Sequence, residues 1–481
     1  MADPAASWSW TLRESTEGIL GSSDAALGRL WAMSKSWGAS CKEAADAEDG
    51  FDIKEYMSTA SVARDMLTIV ERHAEWVAKY LPSRKREIDM ELYTPGKAKL
   101  QYWGFSYGTF LGSTFASMFP ERVGRVVLDG VVSSYDYLHS LGNGSLTDTH
   151  KAMDSFYTYC LSTSCPLSSP NATFDATKSR VENIVQSLYH NPLPINSISS
   201  PEILTYSDVK NILFSACYTP LVTFPFLVPL LLAIEQRSGS ILEQLSAGYR
   251  STHIYSCPIN GSAPIVSYTD AVPTFAVLCG DGVDQTYVPL SEFEQYWRLL
   301  DNMSPTAGAI WSMLRMRCLS WHIKALAPFR GPFGGDTAHP VLFVSSTADP
   351  VTPLRSARVM HSMFPGSGLV VSDHAGHCSL SSPDSCTLGS VAVYFQTGLL
   401  PEEGKVCVPK KSAWSLNSTD PESRFYDPSL TGMKVEEELE RIGVEVLEAG
   451  REVARKIVEN DLFGVERLVG GRGVKGLMGI M

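Results

Sequence analysis

"AKLQYWGFSYGTFLGSTFASMFPERVGRVVLDGVV", residues 98–132, decides the fold. The short apolar run "AKLQYW" predicts a strand. Glycines at 104 and 108 then flank Ser106, and a helix is predicted from about Thr109 to Phe119, where Pro120 ends it. "RVVLDGVV" from Arg125 reads as a second, buried strand. Strand, tight turn, helix, strand is a βαβ unit, so the sheet it seeds is parallel.

The turn itself has the G-x-S-x-G pattern of a nucleophile elbow. Gly104 and Gly108 lack side chains where the strand and helix backbones must cross, and the corner pushes the Ser106 hydroxyl out over the end of the sheet. The helix start aims backbone N–H groups at the same place, which makes the Tyr107 amide an oxyanion donor. A glycine-rich turn carrying a serine by chance is the plainer reading; the strand before and the helix after favour the elbow. A serine is a weak nucleophile without a base, and the base needs an acid to orient it. In a parallel sheet those partners project from the carboxyl ends of later strands. Asp349 follows the strand "VLFVSS", and His377 follows "GLVV", giving the order Ser, Asp, His. His374 competes for the role of base, and Asp336 and Asp373 are lesser candidates for the acid. The plainer reading of Asp349, standing before Pro350, is a turn former, and it is the less favoured one.

Outward from this unit, residues 55–81 carry apolar positions at helical spacing, followed by an exposed charged loop, "PSRKREIDMELYTPGK". From about Tyr135 to Gly335 the pattern turns to Ser/Thr/Asn/Pro-rich loops and helical stretches, as in an inserted, mostly helical domain. Its apolar run from Leu221, "LVTFPFLVPLLLAIE", is too short for a comfortable membrane span and predicts a buried or lid helix. Strand patterns resume with "HPVLFVSSTADPVTP" and "GLVVSDHAGH". In the tail, Val435, Leu439, Ile442, Val446, Ala449 and Val453 alternate by four and three, one face of a helix that docks on the body or lies loose, a short coiled coil being the alternative. The expected division is 1–135 for the first part of the core with the elbow, 136–335 for the lid, 336–408 for the second part of the core, and 409–481 for the extension.

Composition narrows the function. Of the 481 residues, 44% are hydrophobic and 19% charged, which describes a folded globular chain, and the net charge of −12 speaks against a nucleic-acid partner. The ten cysteines show no zinc spacing, and several fall in Pro/Ser-rich stretches expected to be loops. Asn143, Asn171, Asn260, Asn302 and Asn417 head N-x-[ST] sequons, Pro305 weakening the fourth. Cysteines and sequons together favour an oxidising, secretory location. The opening "MADPAASWSWTLREST" has neither the basic nor the apolar region of a leader.

"YWGFSYGTFLGSTFASMFPERVGRVVLDGVV", "VLFVSSTADPVTPLRSARVM", "HAGHCSL" and "YFQTGLLPEEGKVCVP" together resemble the tripeptidyl-aminopeptidase-like branch of the α/β-hydrolases, related to proline iminopeptidases. The likeness runs from about Cys41 to Pro409. It implies an α/β-hydrolase sheet with an inserted helical lid, Ser106 as nucleophile, Asp349 as acid and His377 as base. It also implies disulfides Cys160–Cys165, Cys279–Cys318 and Cys386–Cys407, secretion, and release of short peptides from free N-termini, the lid recognising the amino group. Glu202, Asp208, Asp281, Asp284 and Glu292 are the lid acids available for that amine. The strands that precede the elbow in the family, with the second oxyanion donor, have no counterpart before Ser106. A truncated reading frame would account for that and for the absent leader, leaving the strand of Ser106 at a sheet edge. The expected function is a serine exopeptidase without metal or organic cofactor, acting on a peptide. The alternatives are an esterase or lipase-like hydrolase of small esters, and a non-catalytic remnant.

Overall fold

A computed structural model of the chain describes residues 16–47, 52–80, 94–196, 202–239, 272–409 and 414–437, with a few scattered positions besides. The sequon at Asn260 and the tail positions Leu439, Ile442 and Val446 lie outside the described residues.

Helix α1 (Ala26–Asp46) and helix α2 (Thr59–Tyr80) precede strand β1 (Leu100–Phe105). The βαβ unit follows as read: helix α3 (Tyr107–Met118) and strand β2 (Val123–Asp129), paired parallel to β1 with Phe105 opposite Asp129. The chain then leaves the sheet for helices α4 (Ser134–His139), α5 (Thr149–Ser162) and α6 (Phe174–Gln186), and the small antiparallel pair β3 (Leu193–Ile195) and β4 (Glu202–Leu204). Helices α7 (Tyr206–Ala216), α8 (Pro220–Glu235), α9 (Val272–Asp281), α10 (Leu290–Met303) and α11 (Gly308–Cys318) complete this excursion. It returns through strand β5 (Leu342–Ala348), helix α12 (Leu354–Met363), strand β6 (Gly368–Ala375), helix α13 (Ser385–Thr397) and strand β7 (Lys405–Val408). Strand β8 (Lys434–Glu437) closes the sheet, whose order is β1-β2-β5-β6-β7-β8 with every pairing parallel. This is the sheet of an α/β-hydrolase, with β1 at one edge among the described residues.

Alternation along the strands explains the layers. Val126, Leu128 and Phe343 face one side, where they meet Phe115 of α3 and Met360 of α12; Val127, Leu342 and Val344 face the other, against Val391 and Tyr394 of α13. Both faces are covered, as a parallel sheet requires. A separate core joins α5 to α8, and α8, apolar all round with Pro225 and Pro229 inside it, is buried in that cluster, as its sequence predicts.

Several features differ from the sequence reading. Helix α1, which the sequence reading did not place, packs on α11: Gly38 passes so close to the Ser320 carbonyl that an added Cβ would lie 1.8 Å from that oxygen, and Ser34 donates to the Met316 carbonyl at 2.9 Å. Val435, expected to begin a helix, lies instead in β8, opposite Val406. Cys386 and Cys407, expected in loops, lie in a helix and a strand.

All three disulfides implied by the family resemblance are present. Among the described residues no helix is long and apolar enough to cross a membrane. Asn143, Asn171, Asn302 and Asn417 are all exposed.

Candidate active site

Ser106 stands between β1 and α3 at φ 54°, ψ −124°, a conformation rare for any residue with a side chain. The glycines explain how the corner closes. A Cβ on Gly104 would lie 2.5 Å from the Gly108 carbonyl oxygen, and the Tyr102 hydroxyl donates to that same oxygen at 2.8 Å. Thr109 Oγ1 then donates to the Ser106 carbonyl at 2.6 Å and accepts the Val132 amide at 2.9 Å, tying the elbow to the chain beyond β2. Tyr107 is the first residue of α3, with its amide at the helix start.

The other two candidates meet because β5 and β6 are neighbours. Ala348 pairs with Ala375, the Gly376 amide donates to the Ala348 carbonyl at 3.1 Å, and the residues just past the two strands turn toward each other. His377 Nδ1 lies 3.0 Å from both oxygens of Asp349, and neither side chain is exposed. The Asp349 carboxylate also accepts the amides of Val351 (2.9 Å), Thr352 (2.8 Å) and Cys378 (2.9 Å). Burial alone would push this carboxyl up; the His377 ring, its hydrogen bond and the amides of Cys378 and Val351 outweigh burial and hold it below the ordinary range. The lid contributes as well, since the His377 amide donates to the Tyr218 carbonyl at 2.8 Å and the two rings meet edge-on at 5.0 Å.

One carbonyl joins the two halves. Asp129 O, at the end of β2, accepts the Ser106 amide at 3.1 Å and the Cys378 thiol at 3.4 Å, so the elbow and the residue after His377 meet on one atom. The Asp129 side chain accepts the Ser379 amide at 2.8 Å, the Ser379 hydroxyl, and Trp103 Nε1 at 3.3 Å. Burial pushes its carboxyl up to about 6 against these hydrogen bonds.

A cavity of about 600 Å³ opens over Ser106. Its wall is mainly apolar and aromatic, including Tyr137, Tyr218, Leu278, Tyr296 and Trp311, and Val453 of the C-terminal extension reaches it. Val351 and Thr352, which hold Asp349, line it too; Asp349 and His377 lie buried behind them.

The competing candidates go elsewhere. His374 directs Nδ1 at the Ala375 carbonyl (3.1 Å) and borders a separate small hollow with Ser155 and Trp414. Asp373 accepts Thr347 Oγ1 and the Ser418 amide, and Asp336 is exposed in a loop. Among the described side chains, Asp208, Asp281, Asp284 and Glu292 do not line the cavity; the side chain of Glu202 lies outside the described residues. Asp281 is buried on Thr59, Asp208 caps α7, Asp284 pairs with Lys324, and Glu292 is exposed. The carboxylate that does line it is Asp136.

Among the described residues, two groups have ligand atoms close enough for a metal, and neither suits one. Asp349 already accepts from His377 Nδ1 and the Cys378 amide, and the Cys378 thiol, which burial keeps protonated, donates to the Asp129 carbonyl. Cys386 and Cys407, beside Asp384, are joined in a disulfide.

Sequence reasoning missed Tyr218, Asp129, Thr352 and Cys378. Asp129 alone left a trace, as a carboxylate at a strand end in "VVLDG"; the others depend on how the lid and turns fold back.

Residues 304–407 match the family model of TAP-like proteins. The tripeptidyl aminopeptidase of Streptomyces lividans is 24% identical over 344 residues, 68% of this chain and 58% of that protein. Serine protease Hip1 of Mycobacterium tuberculosis is 25% identical over 337 residues, 67% of this chain and 60% of that protein. The chain thus spans about three fifths of the length of these relatives. The resemblance drawn from the elbow and the two later strands is borne out, at low identity.

Proposed function

Starting from an α/β-hydrolase sheet with a TAP-like segment, we propose that this chain is a serine exopeptidase that releases short peptides from free N-termini through an acyl-enzyme. The observation that carries the reading is the Asp349 carboxylate set on Nδ1 of His377, with the following residue joined through one carbonyl to the elbow of Ser106. A proton held on Nδ1 by Asp349 leaves Nε2 as the basic nitrogen. Ser106 Oγ attacks the scissile carbonyl as Nε2 takes its proton. The Tyr107 amide stabilises the oxyanion, the imidazolium returns the proton to the leaving amine, and water repeats the cycle to free the acyl group. The relatives' names support peptide as the substrate. The mainly apolar wall supports a second reading, hydrolysis of small apolar esters. Three disulfides and the exposed sequons support secretion.

A fluorophosphonate probe tests the core of the reading: wild type is labelled and Ser106→Ala is not. Rates on unblocked peptide amides, the same amides N-acetylated, and simple esters then separate the substrates. Preference for the unblocked amides is expected. Ester hydrolysis without a need for a free amine would move the assignment to an esterase, and folded wild type that resists labelling would end it.

A further inference from the structure

Among the described side chains lining the cavity, two are charged, Asp136 and Arg315. Asp136 is already engaged: one oxygen accepts the Gly144 amide at 3.0 Å, the other the Ser145 hydroxyl at 2.8 Å. Arg315 is held differently. Its Nε donates to Gln285 Oε1 at 2.7 Å, and the buried Gln285 is oriented by its own Nε2, which donates to the His139 carbonyl at 2.9 Å. The guanidinium lies over the Tyr296 ring, 4.3 Å from its centroid, and the Tyr296 hydroxyl is fixed on the Ser140 carbonyl at 3.2 Å. Among the described residues its two Nη nitrogens make no hydrogen bond or ion pair. Arg317, two residues on, pairs with Glu14, and Arg330 donates to the carbonyls of Asp281 and Gly282.

A guanidinium tied at Nε and stacked on a ring keeps one edge, the pair of Nη groups, in the geometry that matches a carboxylate. Beside Tyr296, Trp311 and Leu314 that edge is partly shielded from water, which strengthens any charge it meets. We propose that Arg315 is a specificity residue that binds a carboxylate of the substrate. Calling that ligand a substrate rests on the hydrolase reading; the binding itself does not.

The carboxylate has two possible sources, the free C-terminus of a short peptide or an acidic side chain. Calorimetric titration of the full chain carrying Ser106→Ala, which removes turnover, distinguishes them. One pair of probes is leucyl-phenylalanine and its C-terminal amide; the other is leucyl-glutamate amide and leucyl-glutamine amide. In at least one pair the carboxylate form is expected to bind about 10- to 100-fold tighter, the range for hydrogen bonds to a charged group. The pair that shows the preference names the source. Adding Arg315→Met should bring that ratio to near one, and Arg315→Lys, which keeps the charge without the fork, should leave part of it. Gln285→Leu releases the fork without removing it and serves as a second variant, expected to reduce the ratio, should Arg315→Met not fold. Equal binding within both pairs, or a preference that survives Arg315→Met, overturns the proposal. Failure of the fluorophosphonate label would sink the catalytic reading and leave this result standing.

Discussion

Ser106 is held at φ 54° by its surroundings, so the elbow is sensitive to the atoms packed around it. Gly104→Ala would place a Cβ 2.5 Å from the Gly108 carbonyl oxygen and 2.4 Å from the Tyr102 ring. The backbone must shift, with an expected cost of about 1–3 kcal/mol, measurable by urea unfolding, and with weakened labelling of Ser106. Asp349→Asn tests another link. It keeps the shape but loses the carboxylate that fixes the Nδ1 proton, so kcat is expected to fall by about 10⁴-fold while the fold persists. Steady-state kinetics with circular dichroism check both halves, and a near-normal kcat would remove Asp349 from the mechanism. Ser106, Asp349 and His377 could be singled out as candidates from the sequence because each comes just after a strand pattern, and strand ends converge in a parallel sheet. Arg315 was not. Its position depends on α11 lying beside Gln285 and Tyr296, contacts that no local spacing records.

At the scale of elements, Cys386–Cys407 clips α13 to β7 across 21 residues, and β7 in turn carries β8. Replacing both cysteines with serine is expected to lower unfolding free energy by about 2–4 kcal/mol, read from urea transitions, with little change in Ser106 labelling because the bond lies strands away from the elbow. Loss of labelling with unchanged stability would contradict that assignment. β8 also shows why part of the tail was misread. Val435 opens an apolar pattern of helical period, and "KVEEELE" is rich in helix formers. The pairing of Val435 with Val406, and the ion pairs Lys405–Glu436 and Lys434–Glu402, set 434–437 into the ladder instead. Tertiary pairing of this kind overrides local preference. The βαβ unit around Ser106 was readable because strand run, glycine corner and proline stop all pointed the same way.

Across the whole molecule, Asp281 joins the lid to the core. It ends α9 and accepts the Thr59 amide at 2.8 Å and the Thr59 hydroxyl at 2.6 Å, at the start of α2. With the Thr59 hydroxyl donating to Asp281, the Tyr107 hydroxyl, 2.6 Å away, donates to Thr59, so the lid carboxylate also tethers the side chain of the elbow residue. Burial pushes the Asp281 carboxyl up from 3.8 to about 6 despite hydrogen bonds from Thr59 and Tyr137 and the nearby charge of Arg330. Between about pH 4 and pH 6 the folded chain therefore keeps a proton that the unfolded chain has released. Stability due to this group declines as pH rises through that window and is level above it. Asp281→Asn has no such proton to lose. It is expected to destabilise the protein at both ends of the window, but less at pH 7 than at pH 4, the gap from wild type narrowing by about 2–3 kcal/mol. Urea unfolding of both proteins at pH 4 and pH 7 measures the difference directly. A gap that stays constant would mean that Asp281 ionises as readily in the folded chain as in the unfolded one, and a gap that widens toward pH 7 would mean that it ionises more readily there, the hydrogen bonds from Thr59 and Tyr137 outweighing burial.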